Sequence, residues 1–128
     1  MRHLRASLLL ASAVAALAVL PGAVSQTRGA QQADTPRQVV DITAERFTFT
    51  PSEVRTKAGT TLEIRLRSDD TAHGFHIVGT DVDLELPKRG KGVATVTFTP
   101  KAGRYTFECS RLCGAGHEFM RGVIVASE

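Results

Sequence analysis

Between Cys109 and Met120 the chain reads C-S-R-L-C-G-A-G-H-E-F-M, which puts both of its cysteines, His117 and Met120 in one short segment. Thiolate, imidazole and thioether donors held so close together suit copper, which takes soft sulfur as Cu(I) and imidazole in either oxidation state. Magnesium and calcium ask for oxygen donors instead. A further imidazole is offered by His73 or His76, in the string D-D-T-A-H-G-F-H, once a fold brings that segment beside the 109–120 loop. A mononuclear blue-copper site uses one cysteine, two histidines and a weak axial ligand, so the second cysteine is surplus to it. Two thiolates can instead bridge two coppers. Each copper then has both sulfurs, one histidine and a weak donor, Met120 for one and a backbone carbonyl for the other.

The competing reading of Cys109 and Cys113 is a disulfide, the usual fate of paired cysteines in an exported chain. Such a bridge closes too short a loop to add much stability, and it leaves His117 and Met120 without a role. On a strand beginning at Phe75, Phe75 and Ile77 face one side while His76 and Val78 face the other, which makes His76 a supporting or surface histidine. Met120 as a plain filler of a core gap is disfavoured by its place three residues after His117. Phe75 and Phe119 read as packing residues. Asp69-Asp70 and the group Asp81, Asp83 and Glu85 read as solvated faces; no pair of carboxylates announces an acid–base site, and no catalytic residue is nominated. Gly114 and Gly116 are expected to keep the loop slim where a partner can approach His117.

The elements that must hold these donors come next. With 128 residues, 42% of them apolar, the chain has room for one small domain and a modest core. Arg2, His3 and Arg5 precede an uncharged run from Ala6 to Leu20, followed by Pro21, Gly22 and the small-residue pattern Ala23-Val24-Ser25. This order is that of a secretory signal over 1–25, with retention as an N-terminal membrane anchor the alternative. The net charge of +3 includes Arg2 and Arg5, so the rest of the chain is near neutral, and its scattered basic residues exclude a nucleic-acid stripe. Residues 26–38 are polar, without apolar periodicity, and read as a flexible linker. From Val39 onward the chain alternates: Val40 and Ile42, Phe47 and Phe49, then Leu62, Ile64 and Leu66 around Glu63 and Arg65. Further short β-rich runs follow at 75–78, 82–86, 93–98, 105–109 and 122–125, separated by turns such as Lys57-Ala58-Gly59 and Lys101-Ala102-Gly103. The expectation is an all-β Greek-key sandwich of seven to eight strands over 39–128.

The combination of H-G-F with C-x-x-x-C-G-x-G-H-x-x-M, over a stretch from about Phe47 to the C-terminus, resembles the dinuclear CuA domain of subunit II of the haem-copper cytochrome oxidases, a cupredoxin fold, and within that family the subunits with a single N-terminal helix. The resemblance implies two copper ions bridged by Cys109 and Cys113, with His73 and His117 each a ligand to one copper, Met120 one axial ligand and the backbone carbonyl of Arg111 the other. It selects His73 over His76. It also implies a role in passing single electrons from a donor such as cytochrome c to an oxidase or reductase, with oxygen reduction in another subunit, at the periplasmic or outer face of the cytoplasmic membrane. The chain departs from the family pattern in having Arg111 where an acidic or amide side chain is frequent, and in having no tryptophan. Two other functions fit the same donors: a periplasmic protein that stores or delivers copper, and a mononuclear blue-copper protein.

Overall fold

The computed structural model describes residues 34–128. The expected secretory signal over 1–25 and the larger part of the expected linker lie outside the described residues. Nine strands follow: β1 (Arg37–Glu45), β2 (Thr48–Thr50), β3 (Glu53–Lys57), β4 (Thr61–Ser68), β5 (His73–Ile77), β6 (Asp83–Leu86), β7 (Ala94–Phe98), β8 (Gly103–Glu108) and β9 (Arg121–Ser127). The strand absent from the expected set is β3. Its sequence, EVRTK, buries only Val54 fully and leaves no apolar alternation to read. It forms because it lies parallel to β9, with Val54 opposite Ile124. β1 begins at Arg37, two residues ahead of the first apolar position, because Arg37 and Gln38 pair with Thr61 and Leu62 of the parallel strand β4.

The strands make two sheets, ordered β2-β1-β4-β7 and β3-β9-β8-β5-β6. Period-two patterning decides which face goes inward. On β4, Leu62, Ile64 and Leu66 are buried, while Arg65 and Arg67 point outward and Glu63 draws ion pairs from Arg37 and Arg65. Those two arginines hold the Glu63 carboxyl below its ordinary range. Between the sheets, Phe49, Phe75 and Phe107 form a cluster of rings with centroids 5.1–5.8 Å apart, edge-on for the two pairs that include Phe49. Phe49 comes from the first sheet and the other two from the second, so the cluster ties the layers together. Edge-to-face ring contacts add to the area that each ring buries.

The second sheet decides where chemistry can sit. β8 is antiparallel to both β5 and β9, with His76 opposite Glu108 and Glu108 opposite Arg121. The start of β5, the end of β8 and the start of β9 therefore meet at one end of the sandwich. No α-helix occurs among the described residues, and none of their helical turns is long and apolar enough to cross a membrane.

Removing a ring from the inter-sheet cluster should loosen the whole domain. Phe107→Ala is expected to lower unfolding stability by about 3–5 kcal/mol, read from the shift of a denaturant midpoint at unchanged slope; a loss below 1 kcal/mol would show that the cluster does not join the layers.

Candidate metal centre

All six residues expected to ligate metal come together at that end of the second sheet. His73 opens β5, Cys109 follows the last residue of β8, and Met120 precedes the first residue of β9. The antiparallel register extends past the strand ends, because the Cys109 N–H donates to the Met120 carbonyl at 3.0 Å. Between them the chain leaves the sheet as a loop that carries Arg111, Cys113 and His117. A single 3-10 turn over His117–Phe119 returns it, with the Met120 N–H bonded to the His117 carbonyl at 3.1 Å.

Alternation along β5 settles which histidine faces the loop. His73 shares the inward face with Phe75 and Ile77 and is fully buried. His76 points to the opposite face, where its Nδ1–H donates to the Val82 carbonyl at 2.9 Å. The glycine between His73 and Phe75 is dictated by close approach: a Cβ on Gly74 would lie 2.2 Å from Ser110 Oγ and 2.8 Å from the Arg111 amide nitrogen. With no side chain there, the Gly74 N–H reaches Cys109 Sγ at 3.4 Å.

The two thiols are free, with sulfurs 3.7 Å apart. Each has its own imidazole: His73 Nδ1 is 3.8 Å from Cys109 Sγ, and His117 Nδ1 is 3.9 Å from Cys113 Sγ. Each also has its own weaker donor, the Arg111 carbonyl at 3.1 Å from Cys109 Sγ and Met120 Sδ at 3.9 Å from Cys113 Sγ. First-row ions bind thiolate sulfur at about 2.3 Å and imidazole nitrogen at about 2.0 Å, so one ion can touch two sulfurs separated by less than about 4.6 Å, or a sulfur and a nitrogen separated by less than about 4.3 Å. The sulfur–sulfur and both sulfur–imidazole distances meet that condition. His73, Cys109 and Cys113 by themselves already form a compact, buried metal-ligating group.

Burial, strengthened by the hydrogen bond and the charge of Cys109, pushes the Cys113 thiol up to about 11. In the metal-free protein it is therefore a protonated thiol at neutral pH, and a metal must displace that proton to bind. Around the donors the described site is dry on one side and open on the other. Cys109, Cys113 and Met120 are buried, whereas His117 is half-buried and the adjacent Ala115, Glu118 and Phe119 are exposed.

Asp70, read from sequence as part of a solvated face, is instead the support of His73. Its Oδ1 accepts the His73 Nε2–H at 2.7 Å, which fixes Nδ1 as the nitrogen aimed at the sulfurs. Partial burial acts to raise the Asp70 carboxyl, but the hydrogen bond from His73 and those from the Arg46 and Thr71 amides outweigh it and bring it down to about 2. Asp83 and Glu85 likewise brace the loop: Ser110 Oγ–H donates to Asp83 at 2.6 Å, and Arg111 pairs with Glu85 at 2.9 Å. The role expected of Gly114 and Gly116 widens. A Cβ on Gly116 would lie 2.3 Å from the Phe47 ring and one on Gly114 2.9 Å from it, so these glycines also admit Phe47 beneath the loop. Phe75 packs in the core as expected, but Phe119 is 74% exposed. Sequence reasoning placed Phe47 only among the alternating strand positions and passed over Arg46 altogether. The D-x-x-H spacing of Asp70 and His73 is a readable signal of a carboxylate–imidazole pair, whereas no local pattern marks Arg46, whose contacts lie far along the chain.

Comparison with known proteins gives the family of this fold. The model of the cupredoxin-like domain family matches residues 10–126. A cytochrome c oxidase subunit 2 from Thermus thermophilus is 36% identical over 91 residues, 70% of this chain and 65% of the relative, so the chain spans just under two thirds of that protein. Among solved structures, a chain of a heme-copper terminal oxidase dimer superposes with a TM-score of 0.63 at 28% identity, over 76% of this chain and 68% of that one. The periplasmic domain of subunit II of the cytochrome oxidase of Bradyrhizobium japonicum shares the fold, with a TM-score of 0.63 at 17% identity over 70% of this chain and 83% of that domain. The histidine and two cysteines gathered at the end of the sandwich fit a CuA-type site, and the chain that carries them belongs to the cupredoxin-like domain family.

Proposed function

We propose that the protein is an electron carrier built around two copper ions, held by His73, Cys109, the Arg111 carbonyl, Cys113, His117 and Met120. The observation that carries this reading is the doubling of the donor set. One thiol, one imidazole and one weak donor stand on each side of a 3.7 Å sulfur–sulfur separation, where a single copper would use only part of the set. When bound, such a pair supplies one-electron chemistry in which the added charge is shared between two metals, so that each bond to metal changes little.

The residues of the chain do the rest. Cys109 and Cys113, tied to adjacent strand ends, keep the thiolates at a fixed separation. Asp70 holds the His73 ring in one tautomer and orientation. The buried face keeps water from Cys109, Cys113 and Met120, and the half-buried His117 gives the centre one edge toward solvent. The burial of His73, Cys109, Cys113 and Met120 supports electron relay over copper storage or delivery, which need an exchangeable metal. The similarity to oxidase subunit 2 supports a donor such as cytochrome c and an oxidase or reductase as acceptor, with oxygen reduced elsewhere. It also supports a place outside the cytoplasm, reached through the signal read over 1–25 and the linker that follows it.

Metal analysis and spectroscopy of the purified, reduced and copper-loaded protein test the reading. Two coppers per chain are expected, with an EPR signal split equally by two copper nuclei once one electron is removed; one copper per chain with a blue mononuclear spectrum would overturn it. Cys109→Ser should lose the shared-electron signal and retain at most one copper, and a mutant that keeps that signal would show the sulfur is not a bridge. Because the sulfurs lie within easy reach of one another, mild oxidation of the metal-free protein should join them and abolish copper uptake, with recovery on adding a thiol reductant. Uptake that survives complete thiol oxidation would exclude the cysteines as ligands.

A further inference from the structure

We propose that Arg46, on the turn that follows β1, is a positioning residue that links the two halves of the metal centre. This rests on the copper centre proposed above, and it assigns a role to a residue outside the ligand set. The Arg46 Nε–H donates to the carbonyl of Cys113 at 2.8 Å. Its backbone N–H donates to Asp70 Oδ2 at 3.0 Å, and the same guanidinium nitrogen stands 4.0 Å from that carboxylate oxygen. The other oxygen of Asp70 takes the His73 Nε2–H. A continuous path of hydrogen bonds therefore runs from the imidazole on one side of the site, through Asp70 and Arg46, to the peptide that carries the thiol on the other side.

The loop needs such a tie. Cys113 lies five residues beyond the end of β8, outside the sheet register that fixes Cys109, and only the turn at His117 brings the chain back. Gly114 has a φ of 141°, a conformation that glycine adopts freely and that leaves the Cys113 peptide short of steric constraint of its own. The neighbouring Phe47 fills the space beneath Gly114 and Gly116, so the dipeptide Arg46-Phe47 supports the loop from below, Phe47 by contact and Arg46 by a directed bond. Arginine suits the position better than lysine. Its planar group keeps one N–H in the direction of the carbonyl while the charge stays beside Asp70.

Two substitutions separate the bond from the charge. Arg46→Met removes both, and Arg46→Lys keeps the charge without the Nε–H. In the metal-free protein, amide hydrogen exchange over residues 113–117 should quicken about tenfold in both variants, the weight of one hydrogen bond from a charged donor. Amides of β4, β8 and β9 should keep their protection, which shows the fold intact. In the copper-loaded protein, both variants should surrender copper to a strong chelator about tenfold faster than wild type. The reduction potential should fall in Arg46→Met, because a nearby cation favours the form that has gained an electron, and should stay close to wild type in Arg46→Lys. Wild-type exchange across 113–117 in both variants would overturn the proposal, as would an Arg46→Met protein with unchanged copper retention and potential. Should the wild-type chain bind only one copper, the function proposed above fails, while the exchange measurement on metal-free protein still decides the role of Arg46.

Discussion

Everything at this site depends on holding two thiols close without letting them bond. Sulfur and imidazole donors attract metal wherever they meet, but a pair of sulfurs 3.7 Å apart, each with its own histidine and its own weak donor, requires the backbone to fix both. The sandwich does this with different means for the two cysteines. Cys109 is an extension of β8, and its amide continues the ladder to β9. Cys113 stands in a loop and is held from outside the sheet. That asymmetry explains why the loop is ringed with tertiary contacts: Ser110 to Asp83, Arg111 to Glu85, the Cys113 carbonyl to Arg46, and the two glycines to Phe47.

Burial then turns a set of donors into a selective one. His73 is fully enclosed and leans on Asp70, so its ring has one orientation and one free nitrogen. Even a partly buried carboxylate is costly unless compensated, and Asp70 is compensated by three donors, the His73 ring and the Arg46 and Thr71 amides. The cost of keeping Asp70 ionised is thereby met with bonds that also orient the ligand. His117, by contrast, is only half-buried, and the surface beside it bears exposed Leu112 and Phe119. The site thus has a rigid inner imidazole and an outer one within reach of solvent.

Much of this was legible before any coordinates. Strands with one buried face announce themselves by period two, as β4 does with Leu62, Ile64 and Leu66, and the ligand loop compresses its donors into one string of sequence. His73 could be preferred to His76 on resemblance, and the structure gives the physical reason: only His73 shares the parity of Phe75 and Ile77. What escaped was whatever depends on partners distant in the chain. β3 has almost no pattern of its own and exists through pairing with β9. Asp70 looks like an ordinary surface acid until His73 folds against it, whereas Asp83 and Glu85 stay exposed and meet the loop through Ser110 and Arg111. Arg46 is separated from Cys113 by 67 positions, and no window along the sequence can contain both.

The close approach of Gly74 to Ser110 and Arg111 also has a bearing on when the donor set can come into being. His73 and Cys109 stand 36 positions apart, and the strands that carry them must dock before the first imidazole faces the first sulfur. An unfolded chain has five of the six donors close in sequence, in the stretch from Cys109 to Met120, and lacks only His73 beside them. The full donor set is therefore assembled only by finished folding, and a metal ion that meets the chain earlier finds the local donors without the buried imidazole of His73.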